Sequence, residues 1–371
     1  MTKVLVTGAQ GFVGKNLCVE LKNRKEYEIF QCDRDTSKED LNHFTKEADF
    51  VFHLAGVNRP ENTQEFFDGN FGFTTELLNL LKENKSQAPI LMSSSIQAEL
   101  DNDYGKSKKM GEDYLINYGK ENKIQTYVFR LPNVYGKWCR PNYNSAVATF
   151  CHNIANNLDI TVNNRETLMT LVYIDDVVSD FISCINGEVK RDEKGYCKIK
   201  TEDKITLGEI ADTLYSFKNS RKDLSIANMD RGITKKLYST YLSYLPEDDF
   251  SYDLDMHCDN RGSFTEFIRT QGQGQVSINI SKPHIVKGNH WHHTKNEKFL
   301  VVKGNGIIRF RKIGESKIIE YKVSGEKLQV VDIPCGYTHN IENIGESDMV
   351  TVMWANESFD PNHPDTFFEE V

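Results

Sequence analysis

A tyrosine and a lysine lie four positions apart, at Tyr104 and Lys108, in a stretch with a helical pattern. Residues i and i+4 share one helix face, so an ammonium would lie beside a phenol. Such a cation is expected to lower the pKa of Tyr104, which suits the phenol to exchange a proton with a carbonyl group. Serines at 93–95 follow a predicted strand and could bind that carbonyl. A surface helix pair without chemistry is the alternative interpretation.

A second reactive group lies near the other end of the chain. His290 and His292 alternate along a predicted strand and therefore point to one face, while Glu297 begins the next strand and His339 comes from another hairpin. Three imidazoles and a carboxylate suit a borderline divalent metal, with Zn²⁺ favoured and Fe, Mn or Ni also possible. A barrel mouth lined by histidines without metal is the alternative. His293 is expected to face the opposite side.

Near its start the chain has a strand, three glycines in the pattern GxxGxxG (Gly8, Gly11 and Gly14) and a helix. Glycines let the backbone approach a pyrophosphate, which binds the free N–H groups of the helix N-terminus. A second predicted strand ends at Asp33 and Arg34, where dinucleotide folds meet the adenosine ribose. Asp33 favours NAD by accepting from the ribose hydroxyls, and Arg34 favours NADP by pairing with a 2′-phosphate.

These sites belong to a chain of 371 residues with a net charge of -9. This acidity gives no general attraction for nucleic acid or anionic lipid. Mean hydropathy is -0.53, and neither a membrane helix nor a signal peptide is expected. The eight cysteines are scattered without a CxxC pair, which favours reduced thiols in a cytoplasmic protein.

The elements that position the two groups differ in kind. Up to about residue 180 short apolar strands alternate with helical stretches, which predicts a doubly wound parallel sheet of the Rossmann type. A loop or ragged hairpin is expected at 187–204 and an amphipathic helix at 205–218. Beyond a boundary near 243–249 the short β-rich runs predict an all-β sandwich or barrel. The predicted domains are therefore 1–245 and 246–371.

The first 240 residues resemble the extended short-chain dehydrogenase/reductase family, specifically its nucleotide-sugar members. The likeness is carried by the glycine turn, the HLAG run at 53–56, Asn70, the Tyr104/Lys108 pair, RLPNVYG at 130–136 and YIDDVV at 173–178. It implies Ser95, Tyr104 and Lys108 as the catalytic set, with Ser94 a close alternative to Ser95, and Asn133 on the substrate side. The implied cofactor-binding positions are Gly8, Gly11, Phe12, Val13, Gly14, Asp33, Arg34, Leu54, Ala55, Gly56, Asn70, Tyr104 and Lys108.

The remaining segment resembles a cupin, a double-stranded β-helix or jelly roll. Residues 288–304 match the first cupin motif and residues 334–343 match the second, which implies His290, His292, Glu297 and His339 as metal ligands. Residues 259–266 resemble a stretch of the deoxysugar-nucleotide 3,5-epimerases, in which a histidine near this position is a base. A second interpretation therefore has His290 abstracting a proton without any metal.

Together the halves resemble bifunctional enzymes of capsular polysaccharide synthesis. The resemblance implies C3 epimerisation of a UDP-linked 4-keto-6-deoxy-N-acetylhexosamine in the cupin and NADPH-dependent reduction of C4 in the reductase half. The implied product is a UDP-2-acetamido-2,6-dideoxy-talose, a precursor of N-acetylfucosamine. Arg261 is expected to hold nucleotide phosphates, and a homodimer or higher oligomer is expected. Two alternatives remain: a single-activity reductase with a non-catalytic cupin that binds ligand or dimerises, and a cofactor-sensing scaffold.

Overall fold

The computed structural model describes residues 1–270, 272, 274–358, 360 and 362–371. These residues form two compact units. The first unit comprises Met1–Leu214 and Lys235–Leu245, and the second comprises Tyr215–Thr234 and Pro246–Val371. Among the described helices, none has the length and apolarity needed to cross a membrane.

Strands and helices alternate up to residue 242, with a π-helical turn at Asp68–Gly72. The elements in chain order are β1 (Thr2–Thr7), α1 (Phe12–Arg24), β2 (Tyr27–Cys32), α2 (Lys38–Glu47), β3 (Phe50–His53), α3 (Gln64–Phe67), α4 (Phe73–Glu83), β4 (Ile90–Ser95), α5 (Asp103–Asn122), β5 (Thr126–Leu131), β6 (Asn133–Tyr135), α6 (Ala146–Ala155), β7 (Leu168–Tyr173), α7 (Ile174–Ser183), β8 (Lys190–Arg191), β9 (Cys197–Lys198), β10 (Asp203–Thr206), α8 (Leu207–Asp223), β11 (Ser225–Ile226) and α9 (Gly232–Leu242).

The main sheet of the first unit has the strand order β2-β1-β3-β4-β5-β9-β8. Strands β1 to β5 pair in parallel, and the apolar residues Val4, Leu5 and Val6 are fully buried, because a parallel sheet is covered on both faces. The chain leaves β1 for β2 on one side and reaches β3 on the other. A crevice for a ligand opens at such a switch point, beyond the carboxyl ends of the strands. The predicted Rossmann-type sheet is confirmed.

One predicted helix begins later than expected. Ile205 lies in β10, which pairs antiparallel with β7, and the helix begins at Leu207. Thr206 and Glu209 explain the boundary: the Glu209 backbone N–H donates to Thr206 Oγ1 at 3.2 Å, and the Thr206 N–H donates to Glu209 Oε2 at 2.8 Å. This reciprocal cap marks the start of the helix. Of the two possibilities for 187–204, the hairpin forms, with β8 and β9 paired antiparallel.

The second unit is built from strands in its C-terminal part. They are β12 (Met256–Asp259), β13 (Gly262–Thr270), β14 (Gly274–Ser281), β15 (Val286–Trp291), β16 (Glu297–Lys303), β17 (Asn305–Lys312), β18 (Ile318–Ser324), β19 (Val330–Ile333), β20 (Tyr337–Asn343), β21 (Met349–Ala355) and β22 (Phe367–Phe368). One sheet has the order β11-β13-β14-β21-β16-β19 with β12 beside β13, and the other has the order β18-β17-β20-β15-β22. Side chains of both sheets share one core, including Phe299, Phe310 and Ile341. The predicted all-β cupin fold is confirmed.

A buried histidine at the end of β3 links the end of β1 to α4. Thr7 Oγ1 accepts from the Leu54 N–H at 3.2 Å, so its own proton goes to His53 Nδ1 at 2.8 Å. Thr74 donates to the Asn70 carbonyl at 2.6 Å and accepts from His53 Nε2 at 2.8 Å. Both ring nitrogens are therefore satisfied in the neutral form. Burial lowers the pKa of His53 to about 3.

Replacing His53 should change how stability depends on pH. The folded-state pKa lies below the ordinary value of 6.5, so only the unfolded chain takes up this proton as the pH falls from 6.5 towards 3. The wild type should lose about 2 kcal/mol between pH 7 and pH 5 through this group, and His53→Gln should not. Urea unfolding followed by circular dichroism would measure the free energy of unfolding at each pH. The relevant unfolding transition is the one whose midpoint shifts in His53→Gln. His43→Gln, an exposed control, should show the same dependence of stability on pH as the wild type. A difference in stability between wild type and His53→Gln that does not change with pH would contradict the neutral buried imidazole.

Candidate functional sites

Two of the three predicted glycines let backbone segments around the N-terminus of α1 pack closely against each other. Gly8 has φ +66°, and a Cβ on it would lie 2.8 Å from the Ala55 backbone nitrogen. A Cβ on Gly14 would lie 2.1 Å from the Gly8 carbonyl oxygen. Gly11 caps the helix without a side-chain bond, which leaves N–H groups of the first turn for a ligand. This arrangement fits a pyrophosphate.

Asp33 and Arg34 follow the end of β2, as the sequence predicted. Asp33 Oδ2 accepts from the Gln10 backbone N–H at 2.8 Å, which ties this strand end to the glycine turn. Asp33 Oδ1 accepts from the Arg34 N–H at 3.0 Å, and the Arg34 side chain is exposed. The carboxylate is thus fixed beside the turn while the guanidinium remains in water.

One cavity of about 1030 Å³ brings together most of the predicted residues of the first unit. The predicted residues that line it are Gly8, Gly11, Phe12, Val13, Gly14, Leu54, Gly56, Ser94, Ser95, Tyr104, Lys108 and Asn133. Asp33, Arg34, Ala55 and Asn70 lie outside its lining. A volume of this size suits a cofactor or a nucleotide sugar rather than a small metabolite.

Tyr104 is half-buried beside Ser95. Burial raises the pKa of Tyr104, and the neighbouring Ser95 hydroxyl offsets part of the rise. The net direction is opposite to that expected from Lys108, because desolvation of the phenol outweighs the other contributions. Burial lowers the pKa of Lys108 to about 8, and Glu112 opposes that shift.

The two neighbouring serines have different environments. Ser94 is buried and donates to Glu112 Oε1 at 2.5 Å. Glu112 is fully buried and pairs with Arg130, whose Nη2 lies 2.7 Å from Oε2. Ser94 is therefore engaged in a structural ion-pair network, whereas Ser95 Oγ faces Tyr104 and accepts from the Gln97 N–H at 3.2 Å.

Asn70 lies in the π-helical turn and is buried. Its Oδ1 accepts from the Val57 N–H at 2.9 Å, and its Nδ2 donates to the Val57 carbonyl at 3.1 Å and to Ser107 Oγ at 3.0 Å. Both amide protons are used within the protein. Asn70 thus braces the loop after β3 against α5, next to Lys108, instead of lining the cavity.

Sequence reasoning missed a cationic group in the same cavity. The guanidinium carbons of Arg59 and Arg140 lie 5.5 Å and 5.1 Å from the ring of Tyr143, and Arg59 Nε donates to Asn144 Oδ1 at 2.9 Å. All four residues line the cavity. Positive charge here suits an anionic ligand despite the acidic chain. No motif marks these residues, because they come from loops about 80 positions apart.

The four predicted metal ligands meet in the second unit. One ligand atom from each of His290, His292, Glu297 and His339 lies within 4.8 Å of the others. His290 on β15 pairs in register with His339 on β20, and Glu297 begins β16 in the other sheet. A bulge at Asn289, with φ 59°, precedes His290. His292 lies one residue beyond the strand, and His293 is exposed as expected.

The buried ligand atoms lack the partners that burial normally requires. Within the described part of the chain, His292 Nε2, Glu297 Oε2 and His339 Nε2 are buried without a hydrogen bond. Burial alone would raise the pKa of Glu297, but the neighbouring His292 and His339 hold it well below its usual range. Burial lowers the pKa of His290 to about 4, so the imidazole is neutral and can donate a lone pair. The donor set therefore fits a divalent metal.

A cavity of about 260 Å³ opens beside these ligands, and its lining includes His290 and His339. Arg261 lines it, but its guanidinium is bound to Asp259, with Nη2 2.6 Å from Oδ2. Lys287 also lines the cavity; its Nζ donates to Asn279 Oδ1 at 2.8 Å and to the Ile280 carbonyl at 2.9 Å. These cations are held in place on the cavity wall.

Two family models match the chain. The NAD dependent epimerase/dehydratase family matches residues 4–193, and the polysaccharide biosynthesis C-terminal domain matches residues 257–367. A protein from Pseudomonas aeruginosa named UDP-2-acetamido-2,6-beta-L-arabino-hexul-4-ose reductase is 48% identical over 365 residues, 98% of each chain.

Solved structures agree over the whole length. The capsular polysaccharide assembling protein CapF from Staphylococcus aureus is 55% identical with a TM-score of 0.94, covering 99% of this chain and 100% of that one. A structure of CapF with the inhibitor 3-isopropenyl-tropolone is 50% identical with a TM-score of 0.90, covering 100% of both chains. The chain therefore belongs to the NAD dependent epimerase/dehydratase family and, over its whole length, is a close homologue of CapF.

Proposed function

We propose that this chain is a bifunctional nucleotide-sugar enzyme of capsular polysaccharide biosynthesis. Its substrate is a UDP-linked 4-keto-6-deoxy-N-acetylhexosamine, and its product is a UDP-2-acetamido-2,6-dideoxy-talose. Residues 1–245 reduce C4 and residues 246–371 epimerise C3. The observation that carries the proposal is the meeting of Ser95, Tyr104 and Lys108 with the glycine turn in one cavity. The name of the Pseudomonas aeruginosa relative, a 4-ulose reductase, supports a ketone at C4.

Reduction needs a proton donor beside the ketone. When bound, NADPH supplies the hydride that reduces C4. Ser95 holds the carbonyl oxygen, and Tyr104 gives its phenolic proton to that oxygen as C4 becomes an alcohol. Because burial raises the pKa of Tyr104, the phenol is protonated at neutral pH, the state that a donor needs. The Lys108 ammonium then stabilises the phenolate. Arg34, exposed beside Asp33, pairs with the 2′-phosphate that distinguishes NADPH.

Removing the phenolic hydroxyl should stop the reduction. Tyr104→Phe should lower NADPH oxidation by roughly 10²- to 10⁴-fold, as loss of a positioned acid does, while C3 exchange persists. Absorbance of NADPH with the ketosugar as substrate would measure the rate. Tyr114→Phe, on the same helix, is the matched control and should keep the wild-type rate. A fully active Tyr104→Phe enzyme would rule out this proton donor.

We propose that His290, His292, Glu297 and His339 hold a Zn²⁺ ion. When bound, Zn²⁺ supplies a Lewis acid that polarises the C4 ketone and acidifies the C3 hydrogen. The orphaned ligand atoms support this assignment over the interpretation in which His290 is a base without metal. The inhibitor in the CapF structure adds support, since tropolones carry neighbouring oxygens that chelate divalent metals.

The ligand assignment can be tested with single substitutions. His290→Ala and His339→Ala should each lose bound zinc and C3 exchange but retain NADPH binding, because the cofactor site lies in the first unit. Elemental analysis measures the zinc, and NMR in D₂O without NADPH measures deuterium at C3. His293→Ala, exposed and adjacent to the site, should behave as wild type. Unchanged zinc in the His290 and His339 variants would refute the assignment.

We further propose that His257 removes the C3 proton. It lines the same small cavity as His290 and His339, and histidine is the side chain that enzymes use most often for general acid–base catalysis. Asp259 is bound to Arg261, and the ammonium of Lys287 is bound to oxygen acceptors. In this step the C3–H bond breaks, its proton goes to the imidazole, and its electron pair moves towards the C4 oxygen. A solvent proton returns to the opposite face of C3.

His257→Asn should therefore slow deuterium entry at C3 by about 10²-fold or more without changing the zinc content or the rate of C4 reduction of a pre-epimerised ketosugar. The same NMR and elemental measurements apply, with His284→Asn as an exposed control. Undiminished exchange in His257→Asn would assign the base elsewhere. A wild-type enzyme that oxidises NADPH yet exchanges nothing at C3 would instead favour the single-activity reductase with a non-catalytic cupin.

A further inference from the structure

The C-terminal residues 365–370, here called the strap, run along the strands that carry two of the histidines. Strand β22 within the strap pairs antiparallel with the end of β15, with Phe368 opposite His290 and Phe367 opposite Trp291. The Glu369 N–H donates to the Asn289 carbonyl at 3.0 Å. The strap therefore follows the bulged end of β15, where the first histidine ligand is placed.

The strap also holds the turn between His292 and Glu297. Asp365 Oδ1 accepts from the His293 N–H at 2.8 Å, and Oδ2 accepts from the N–H groups of Thr294 at 2.7 Å and Lys295 at 2.9 Å. The Thr294 hydroxyl donates the fourth bond to this carboxylate, to Oδ2 at 3.1 Å. Desolvation alone would raise the pKa of Asp365, but these donors together hold it well below its usual range. One carboxylate thus orders the four-residue turn that joins two ligands.

The backbone of the same residue orients one ligand ring. The Asp365 carbonyl can only accept, so His292 Nδ1 carries the hydrogen of this bond. The lone pair is then left on Nε2, which lies 3.5 Å from Glu297 Oε2. A metal-binding histidine is commonly fixed in this way by an acceptor on its other nitrogen.

The far end of the strap is anchored away from the ligands. Arg311 on β17 contacts it through Nη2, which lies 2.8 Å from Glu369 Oε1 and 2.5 Å from the Glu370 carbonyl oxygen. The Thr338 hydroxyl donates to the Glu369 carbonyl, next to the ligand His339. Strands β15, β17 and β20 are therefore all joined to the strap.

We propose that Asp365 is a positioning residue for the metal centre, holding the His292 ring and the 293–295 turn in the geometry that binds the ion. This inference rests on the proposed metal site and adds to it a determinant that lies more than 20 residues outside both cupin motifs. A preordered turn lowers the entropy lost when four ligands converge, so metal affinity should depend on the strap.

Zinc affinity of the full chain provides the test, measured by competition with a chromophoric chelator. Asp365→Asn should weaken Zn²⁺ binding about ten- to hundredfold, the usual range for a partner of a metal ligand, and should alter the visible absorption spectrum of the Co²⁺-loaded protein. Asp360 is an exposed carboxylate that precedes the strap, so Asp360→Asn is the matched control and should bind Zn²⁺ as the wild type does. NADPH binding should remain unchanged in both variants.

A second variant tests the same proposal if the Asp365→Asn protein does not fold. Arg311→Gln releases the far end of the strap without touching any ligand and should weaken Zn²⁺ binding in the same direction by a smaller factor. Wild-type Zn²⁺ affinity in a folded Asp365→Asn, or in Arg311→Gln if the first variant does not fold, would overturn the positioning role. A wild-type chain that binds no Zn²⁺ or Co²⁺ would overturn the proposed metal site itself, which separates the two failures.

Discussion

The removal of polar groups from water is the constraint on which both units depend, since a buried charge or hydrogen-bonding atom is costly unless a partner meets it. In the first unit, buried Glu112 meets Arg130 and Ser94, and buried His53 lies between two threonines. In the second unit three buried ligand atoms converge that form no hydrogen bond with any residue that the structure describes. Glu112 and His53 are therefore parts of the scaffold, whereas the converging atoms of the second unit form a group that could hold a metal ion.

The two units position their reactive groups by different means. The first uses backbone geometry, because glycines bring the turn after β1 close to the end of β3 and leave helix N–H groups free. Side chains on β4 and α5 then complete the cavity. The second uses side chains from both sheets, so its geometry depends on strand register and on the strap. A one-residue slip of β15 against β20 would separate His290 from His339 and dismantle the ligand set.

Several features could be predicted because they are local. Spacing within short segments predicts the Rossmann-type order and the all-β second half. Short motifs indicate the serine run beside Tyr104 and the four converging candidate ligands. The helix predicted to start at Ile205 was misplaced, because that residue pairs with Met169 and the capping pair at Thr206 and Glu209 marks the true start. A short apolar run has the same composition in a strand and in a helix turn, so pairing decides between them.

Other features required the tertiary structure. The sequence by itself determined which chemical groups are available, namely the glycine turn, the Tyr104/Lys108 pair and the histidines with Glu297. Only the fold decided that Ser94 donates to Glu112 while Ser95 lies beside Tyr104, that burial raises the pKa of Tyr104, and that Asp365 holds the turn after His292. The physical reason is that desolvation and long-range hydrogen bonds depend on which distant segments pack together, and spacing along a chain carries no record of that.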